Sequence, residues 1–381
     1  MELKTIQTSL NRARLLLEEG KNEDARVVLE AIQVDNEEQQ RDVTYLLGWY
    51  YVLNKQWHDA SQILIPLLNP IHAENQNIQQ ETLVERERFA IYLLRLGQTA
   101  VGLAHYEDAS RHFLYCLKML HDRRIQLPAL RIEAQYNLAM TYMMRGSYTV
   151  AVRNYEDALR LCNHHQLYEE IPNIQYGLSE TYRCLGDFAK AHEAAHEALR
   201  LYQENGNEPL LSRMYNVLGR ISLKLGDYDA SEMYYAKSLS LAISNNRPEM
   251  LLLDCTDLAE LFLEKADVDT AKEYAKRAID AIEQVEDAFL RGVVYNAIGK
   301  VTLAVARLAA QPQNLFDEGI AWLQKSIDQF QLTQAYVHLV EVYSRLAEVS
   351  EELGYAKEAV AYWKLAYMER ENAKFVPCAS V

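Results

Sequence analysis

Residues 138–159 of the chain are LAMTYMMRGSYTVAVRNYEDAL, and the same pattern returns three times at intervals of 40 residues. The later copies are LSETYRCLGDFAKAHEAAHEAL at 178–199, LGRISLKLGDYDASEMYYAKSL at 218–239 and LAELFLEKADVDTAKEYAKRAI at 258–279. A fixed period of this size is typical of stacked structural units, and each copy has the pattern of a helix, a tight turn and a second helix. The chain is therefore predicted to be an all-α repeat protein.

Small residues stand at the same two positions in every copy. Glycines, which take positive φ most easily, end the first helix at Gly146, Gly186, Gly226 and Gly354. Ala266 stands at this position before Ala271. Five positions later a second small residue allows the second helix to pack closely on the first: Ala151, Ala191, Ser231 and Ala271. These positions predict tightly packed helix pairs.

The pattern extends beyond these four copies to about nine. The second small position falls on four further alanines: Ala25, Ala60, Ala109 and Ala359. It falls on Gly319 only if about eight residues are inserted around Ala306 to Asn314, and such an insertion predicts a contact loop near Gln311-Pro312-Gln313. The repeats are predicted to form one solenoid over residues 1–381, with approximate bounds 5–35, 40–70, 84–120, 131–164, 171–203, 211–243, 250–283, 288–330 and 335–371.

Composition narrows the classes of protein that the chain can belong to. Hydrophobic residues make up 49% of the sequence, enough for a continuous core, and the net charge of −15 disfavours direct binding to nucleic acid. No apolar run near the N-terminus predicts a signal peptide or a membrane span. The five cysteines are widely separated, which is typical of reduced thiols. We therefore expect a cytoplasmic protein with no membrane partner.

The repeats resemble the tetratricopeptide repeat (TPR), with its Leu-Gly/Ala, aromatic and Gly-x-Tyr-x-x-Ala positions, over about residues 5 to 370. This resemblance implies a right-handed α-solenoid of about nine TPR-like helix pairs, although the 40-residue period exceeds the usual 34. Residues 213–239 and 343–367 are most similar to the repeat halves of bacterial helix-turn-helix and peptide-sensing regulators. Because the first repeat begins close to the N-terminus, we expect no separate DNA-binding domain.

The resemblance also implies where a ligand would bind, since in TPR proteins the first helix of each pair lines a concave groove. The residues expected there are Trp49, Tyr136, Asn137, Met140, Met143, Tyr176, Arg183, Arg213, Asn216, Arg220, Lys224, Glu260, Asn296 and Lys300. The early part of this groove is apolar, with adaptable methionines. Its middle gathers four cations that suit a carboxylate or phosphate, and its late part is acidic. Paired amide groups of the asparagines suit a peptide backbone.

Interpretations of the same residues that involve no ligand stay open. Charges on a helix face are commonly just solvated, Asn137 is equally suited to bracing neighbouring repeats, and the methionines also suit a core. His192 and His196 have a zinc-compatible spacing but lack an evident third ligand. No catalytic motif, cofactor site or metal site is predicted. The sequence favours a non-enzymatic scaffold or adaptor for a protein or peptide segment, with an intracellular sensor of a short signalling peptide as the alternative, and it is compatible with a homo-oligomer.

Overall fold

The computed structural model describes residues 2–67, 83–103, 105–122, 125–206, 208–309, 312–333 and 335–374. Within these ranges the chain forms eighteen α-helices and no β-strand. Their bounds are α1 Glu2–Glu18, α2 Asn22–Glu30, α3 Glu37–Leu53, α4 Trp57–Leu64, α5 Leu83–Gly102, α6 Tyr106–Met119, α7 Pro128–Met144, α8 Tyr148–His165, α9 Ile171–Leu185, α10 Phe188–Glu204, α11 Glu208–Lys224, α12 Tyr228–Ser244, α13 Pro248–Glu264, α14 Val268–Ala281, α15 Ala288–Leu308, α16 Gln313–Leu332, α17 Tyr336–Glu352 and α18 Ala356–Lys374.

The eighteen helices follow one another as nine pairs, which confirms the predicted all-α, TPR-like helical solenoid. The helices divide into two compact units. The N-terminal unit comprises Met1–Tyr142 and Asn163–Leu167, and the C-terminal unit comprises Met143–Cys162 and Tyr168–Val381. The prediction of one solenoid over the whole chain stays a prediction. Residues 68–70 of the second predicted repeat and Gln311 lie outside the described residues.

Close packing within and between pairs depends on glycines in the first helices. A Cβ atom on Gly219 would lie 2.6 Å from the Tyr235 ring, and one on Gly177 would lie 2.4 Å from Tyr155 Cζ. Both tyrosines are almost fully buried, so each ring occupies the space that a side chain would need. Ser231 adds a polar contact, because its hydroxyl donates to the carbonyl oxygen of Gly219 at 2.9 Å. The small positions in the sequence therefore mark where two helices touch.

The turns between paired helices repeat in detail. Gly186 and Gly226 have φ of +80° and +77°, as the pattern predicts, while Ala266 occupies the equivalent position with φ +59°. The next residue caps the following helix: the Asp187 carboxylate accepts from the Lys190 amide at 3.2 Å. Asp227 and Asp267 make the same contact in their own repeats. Helix termination and helix initiation are thus encoded by two adjacent residues.

Replacing Ala266 by glycine is expected to stabilise the protein by about 0.5–1 kcal/mol. Its Cβ disfavours positive φ, and the relief of this strain exceeds the entropic cost of an added glycine. The reverse change, Gly226→Ala, is expected to destabilise by about 1 kcal/mol. Thermal unfolding followed by circular dichroism measures both. Shifts of the same sign in the two variants would contradict the proposed role of the left-handed turn.

The predicted insertion around Ala306 to Asn314 falls in the eighth helix pair, α15 and α16. Gly319 does occupy the small position, since a Cβ on Gly299 would lie 3.3 Å from its carbonyl oxygen. The inserted residues, however, mainly lengthen helices: α15 has 21 residues and α16 has 20, against 17 in α13. Gln313 begins α16, and Gln311 lies outside the described residues, so the contact loop near residues 311–313 stays a prediction. Each of these helices is about one turn longer, and the additional residues form their backbone hydrogen bonds within the helix.

Helix α15 is the one described helix that is long and apolar enough to span a membrane, with a mean hydropathy of 1.2. Its apolar side chains have a different explanation. Val294, Ile298 and Val301 are buried in a core cluster together with residues of α13 and α14. The hydropathy of α15 is thus accounted for by its packing between neighbouring repeats.

Candidate functional site

The first helices of the C-terminal unit, α9, α11, α13, α15 and α17, bring polar side chains to one surface. We call this surface the inner face, and its members are Tyr176, Glu180, Arg183, Arg213, Asn216, Arg220, Lys224, Asp257, Glu260, Asn296, Lys300, His338, Glu341 and Arg345. Within each helix they recur three or four residues apart, which places them on one side of the helix. Ion pairs between successive first helices connect them across the surface.

Arg220 is the centre of the first group of ion pairs. Its Nε lies 2.9 Å from Asp257 Oδ2, and its Nη1 lies 3.6 Å from Glu180 Oε2. Arg183 pairs with the same Glu180 at 3.0 Å. Burial opposes the ionisation of Glu180, but the positive charges of Arg183 and Arg220 outweigh it and lower its pKa. Arg183 and Arg220, expected from sequence to clamp an acidic ligand, are therefore already paired with carboxylates.

A second group surrounds Lys300. Its Nζ lies 3.4 Å from a Glu260 carboxylate oxygen and 3.0 Å from Glu341, while Arg345 also reaches Glu341 at 3.2 Å. Burial opposes protonation of Lys300, yet the two glutamates keep its pKa raised. Asn296 donates to Glu341 at 3.4 Å, and its Oδ1 is buried without a hydrogen-bond partner among the described residues. This asparagine is the inner-face amide that retains an unused acceptor.

Asp254 lies directly beneath the inner face and is fully buried. Asn216 donates to Asp254 Oδ1 and Asp257 Oδ2, both at 2.8 Å, so both protons of its amide are used. Ser238 lies 2.8 Å from Asp254 Oδ2. Burial raises the pKa of Asp254 to about 7, because these two hydrogen bonds only partly offset desolvation. Unlike Asp257, this carboxyl group has no cation in contact with it among the described residues.

The hydrogen-bond count around Ser238 favours a protonated Asp254. The Ser238 hydroxyl lies 2.8 Å from the Ser212 carbonyl oxygen and 2.8 Å from Asp254 Oδ2, yet it has one proton. A protonated Asp254 donates to Ser238 Oγ, which then donates to Ser212, and all three groups are satisfied. This count favours a neutral Asp254 below about pH 7, with Asn216 bridging it to Asp257.

The C-terminal unit curves around its inner face. Burial lowers the pKa of His338, in α17, to about 4, and the positive charges of Arg220 and Arg183 contribute to this shift. These arginines lie on α11 and α9, several repeats away along the chain. A Cβ atom on Gly146 would also lie 2.9 Å from Val337 Cγ2, so the turn before α8 touches the start of α17. Within the C-terminal unit, the start of α17 therefore lies close to the turn between α7 and α8.

Two cations of the inner face differ from the rest. Arg213 and Lys224 are exposed, and neither has an ion pair or hydrogen bond within the described part of the chain. They lie on α11 on either side of the engaged Arg220. At about 1.5 Å per residue they are roughly 16 Å apart along the helix. Of the four cations predicted to form a clamp, these two are accessible to a ligand's negative charge.

The N-terminal unit has its own aromatic cluster, built on α3, α5 and α7. Trp49 stacks on Tyr45, and the Arg95 guanidinium lies 4.6 Å from the Trp49 ring centroid. Arg95 is 8% exposed and pairs with Glu133 at 2.7 Å, and Tyr92 packs on Tyr45. Of the residues in this cluster, Trp49 alone was predicted to line the groove. The cluster holds three first helices together.

The remaining early residues divide between the two units. Tyr136, Asn137 and Met140 lie on α7 in the N-terminal unit, whereas Met143 belongs to the C-terminal unit. Asn137 is buried and donates to the carbonyl oxygen of Glu133 in its own helix at 2.8 Å. The three others are half-buried. The proposed groove roles of all four stay predictions.

Sequence reasoning missed Asp254 and Asp257. Both stand in MLLLDCTDLAELFL, residues 250–263, and two acids three positions apart in such an apolar run were a signal for a buried polar pair. Their partner Asn216 was identified, but its 40-residue equivalent is Thr256. Arg220 contacts Asp257, one residue beyond Thr256. The 40-residue period alone therefore predicts the wrong contact residue.

No arrangement of three or more His, Cys, Asp or Glu side chains suited to a metal ion occurs in the described residues. His192 and His196 do meet, with their Nε2 atoms 3.1 Å apart on the exposed side of α10. Burial together with the charge of His192 lowers the pKa of His196. His192 and His196 are therefore two neighbouring imidazoles on the protein surface.

Comparison with known proteins agrees with this architecture. Tetratricopeptide repeat family models match residues 130–204, 170–244 and 6–31. No curated protein sequence matches the chain significantly. A Rap protein in complex with Competence and Sporulation Factor is similar in structure, with a TM-score of 0.73 at 14% identity over 97% of this chain and 99% of the other.

Two further solved structures are similar over nearly the whole chain. NprR in complex with its cognate peptide NprX has a TM-score of 0.64 at 17% identity, covering 96% of this chain and 99% of that one. Aspartyl phosphate phosphatase F from Bacillus subtilis has a TM-score of 0.60 at 13% identity, covering 96% and 94%. Identities this low show a shared fold. The chain contains tetratricopeptide repeats in the matched residues, and its fold resembles that of the Rap and NprR regulators.

Proposed function

We propose that the C-terminal unit binds a short peptide in an extended conformation along its inner face, and that the protein is a non-enzymatic peptide-sensing regulator. One observation carries this proposal: five first helices bring polar and charged side chains to one surface, where ion pairs join successive first helices. Such a surface offers charged and hydrogen-bonding partners to an extended peptide.

The similar structures support the same class of ligand. NprR was solved with the peptide NprX, and the Rap protein with Competence and Sporulation Factor. This chain's nine helix pairs extend over nearly the full length of both. By this analogy its inner face is the place where a peptide would lie, and regulation would follow from a change in how the repeats stack.

The available groups define the chemistry of the ligand. Arg213 and Lys224 are exposed and have no ion pair among the described residues, so they suit a C-terminal carboxylate or an acidic side chain. The charges of Arg220 and Lys300 are neutralised by the protein's own carboxylates. The preferred peptide is therefore one that carries a negative charge.

Binding fits the site better than catalysis. Asp254 has the strongly raised pKa that a general acid would need, but it is fully buried and touches no solvent-filled space. The name aspartyl phosphate phosphatase applies to the similar protein and is not transferred to this chain. The free thiols of Cys116, Cys162, Cys184 and Cys255 agree with the proposed cytoplasmic location.

A library of synthetic heptapeptides with free termini tests the proposal. We expect micromolar binders that carry an acidic residue or a free carboxylate. Arg213→Ala and Lys224→Ala should each weaken the best binder at least tenfold, since each removes a cation that suits the negative charge of the peptide. Isothermal titration calorimetry measures the affinities.

The matched control is Arg277→Ala. This residue packs over the Tyr274 ring on the second helix α14, away from the inner face. We expect its removal to leave peptide affinity unchanged. Equal affinities for all three variants would contradict binding at the inner face. If the protein binds no peptide but does bind a folded protein partner, that result would instead support the scaffold function.

A further inference from the structure

A groove opens between the second helices α14 and α16 of the C-terminal unit. Its wider part has a volume of about 470 Å³ and its narrower part about 220 Å³, and Lys272 and Val305 line both parts. The floor is apolar, with Ile298 and Val305 of α15, and Trp322 of α16 forms part of one wall. Because about 3.6 residues make one helical turn, Ile298 and Val305 lie on the opposite side of α15 from Lys300. The groove is therefore separate from the inner face.

The residues inserted in the eighth helix pair help to build this groove. Helix α15 ends nine residues after its small residue Gly299, whereas α13 ends five residues after Ala259, so residues 305–308 form an additional turn. Val305 and Leu308 of this turn line the wider part, and Leu308 is 74% exposed. Helix α16 begins six residues before its small residue and α14 three residues before its own, which adds Leu315 to the narrower part. Insertions in repeat proteins commonly lie on one face, often the face that binds a partner.

An apolar position that α10, α12 and α16 bury is open in α14. Eight positions after the small residue, those three helices have a side chain that packs in a core cluster with the next first helix: Leu199, Leu239 and Ile327. The equivalent Ile279 of α14 is 36% exposed and lines the groove. Four positions after the small residue, α14 has Ala275, which also lines the groove, where α12 has the much larger Tyr235. Apolar surface is thus left open on α14 that these other repeats cover.

One charge beside the groove has no partner among the described residues. Lys276 is exposed and makes no ion pair or hydrogen bond within the part of the chain that the structure describes. The three carboxylates of the lining, in contrast, each have a partner within the chain: Asp267, Asp269 and Glu318. A negative group of a ligand is therefore favoured beside Lys276.

The shape of the groove suits a helix. From Val268 to Ile279 along α14 it is roughly 16 Å long, which matches about three helical turns. Its walls and floor are helices, whose backbone groups are hydrogen-bonded internally, so an extended segment would find no strand edge to pair with. A helix satisfies its own backbone and can place apolar side chains in the groove at every third or fourth position.

We propose that this groove binds an amphipathic helix of a partner protein, with apolar side chains on the floor of α15 and an acidic side chain beside Lys276. Trp322 offers a large aromatic contact that is already held in place. Its ring stacks on Tyr295 with centroids 5.6 Å apart, and Lys325 lies 4.0 Å from it. Residues of this kind commonly contribute much of the affinity of an interface. The proposal does not depend on the inner face, so helix binding here and peptide binding there are tested separately.

Fluorescence anisotropy with two labelled peptides of about 14 residues tests this site. Both peptides carry leucine at every third or fourth position, and one has glutamate on both sides of the leucine stripe where the other has lysine. We expect the glutamate peptide to bind the full chain with a dissociation constant of about 10–100 μM, and the lysine peptide to bind at least tenfold more weakly. The net charge of −15 alone would favour the lysine peptide, so the opposite preference reports the groove. Lys276→Glu should reduce this preference severalfold.

Substitutions at the two exposed apolar positions locate the binding. Leu308→Glu and Ile279→Glu should each weaken the glutamate peptide at least tenfold. Ile243→Glu is the matched control, because this residue is 55% exposed near the end of α12 and does not line the groove. Arg213→Ala, on the inner face, should also leave the affinity unchanged. Circular dichroism verifies that each variant keeps its helices.

Three results would overturn the proposal. The first is no binding of the glutamate peptide at about 0.5 mM, or tighter binding of the lysine peptide. The second is an affinity that Leu308→Glu and Ile279→Glu leave intact or that Arg213→Ala abolishes, because the peptide would then lie elsewhere. The third is self-association of the unaltered chain that Leu308→Glu prevents in sedimentation equilibrium, because a second copy would then cover the groove.

Discussion

At pH 8 the Asp254→Asn variant is expected to be more stable than the unaltered protein by as much as about 4 kcal/mol, and at pH 4 equally stable. The pKa of Asp254 is about 7 in the folded protein, against roughly 3.9 in an unfolded chain. Above pH 7 the folded protein must bury an ionised carboxylate, which costs about 1.4 kcal/mol for each unit of pKa difference. Asparagine keeps the same shape and stays neutral, and its amide can donate to Ser238.

The sign of this pH dependence follows from proton binding. A group whose folded pKa is raised stabilises fully below its unfolded pKa, and this contribution disappears as the pH rises through 7. His338 acts in the opposite direction: burial lowers its pKa to about 4, so between pH 4 and 6.5 it makes stability rise with pH. The two trends partly cancel in the unaltered protein. His338 contributes equally to the stability of the variant and of the unaltered protein. Its contribution therefore cancels in the difference between their free energies of unfolding, which reports Asp254 alone.

Chemical denaturation at several pH values between 4 and 8 measures that difference. Asp257→Asn is the matched control, because this neighbouring acid is ion-paired with Arg220 at 2.9 Å. Its replacement should lower stability throughout pH 5–8 rather than raise it. A difference curve for Asp254→Asn that is flat, or that falls toward pH 8, would show that Asp254 is stably ionised in the folded protein.

Much of the fold follows from short-range rules that the sequence displays. A glycine or alanine that accepts positive φ, followed by a capping aspartate, encodes each turn, as at Gly226 and Asp227. The small residue five positions on encodes the helix contact, and Gly319 revealed the eighth pair despite its insertion. The number of pairs and the assignment of first and second helices were therefore predictable. These features depend on residues close together in the chain.

The ion pairs of the inner face were not predictable by the same rules. Arg220 and Asp257 are 37 residues apart, and their contact depends on how α11 and α13 are rotated about their axes. A small change of rotation would have brought Glu260, the exact repeat equivalent of Arg220, into that position instead. Sequence periodicity identifies the face that a side chain occupies, but the choice among neighbouring partners is made by packing. For this reason two of the four cations of the predicted clamp, Arg183 and Arg220, are neutralised by carboxylates of the protein.

Arg220→Met is expected to destabilise the protein by about 3 kcal/mol, whereas Arg213→Ala should change stability by less than about 0.5 kcal/mol. Removing the guanidinium leaves Asp257 and part of the Glu180 charge uncompensated in a partly buried site, and breaking such a pair from one side costs about 3–5 kcal/mol. Arg213 lies two helical turns away on the same helix, exposed and without an ion pair in the described residues. Urea denaturation at pH 7.5 measures both changes.

A second variant separates electrostatics from packing. In Arg220→Met combined with Asp257→Asn, the uncompensated acid is removed together with the cation, so most of the lost stability should return. If the double variant is as unstable as the sum of the two single changes, Arg220 acts through the packing of its aliphatic stem. The same variants bear on peptide binding: Arg213→Ala should reduce affinity without reducing stability. Loss of binding in Arg220→Met would be interpretable only after its stability is known, because this arginine first holds the inner face together.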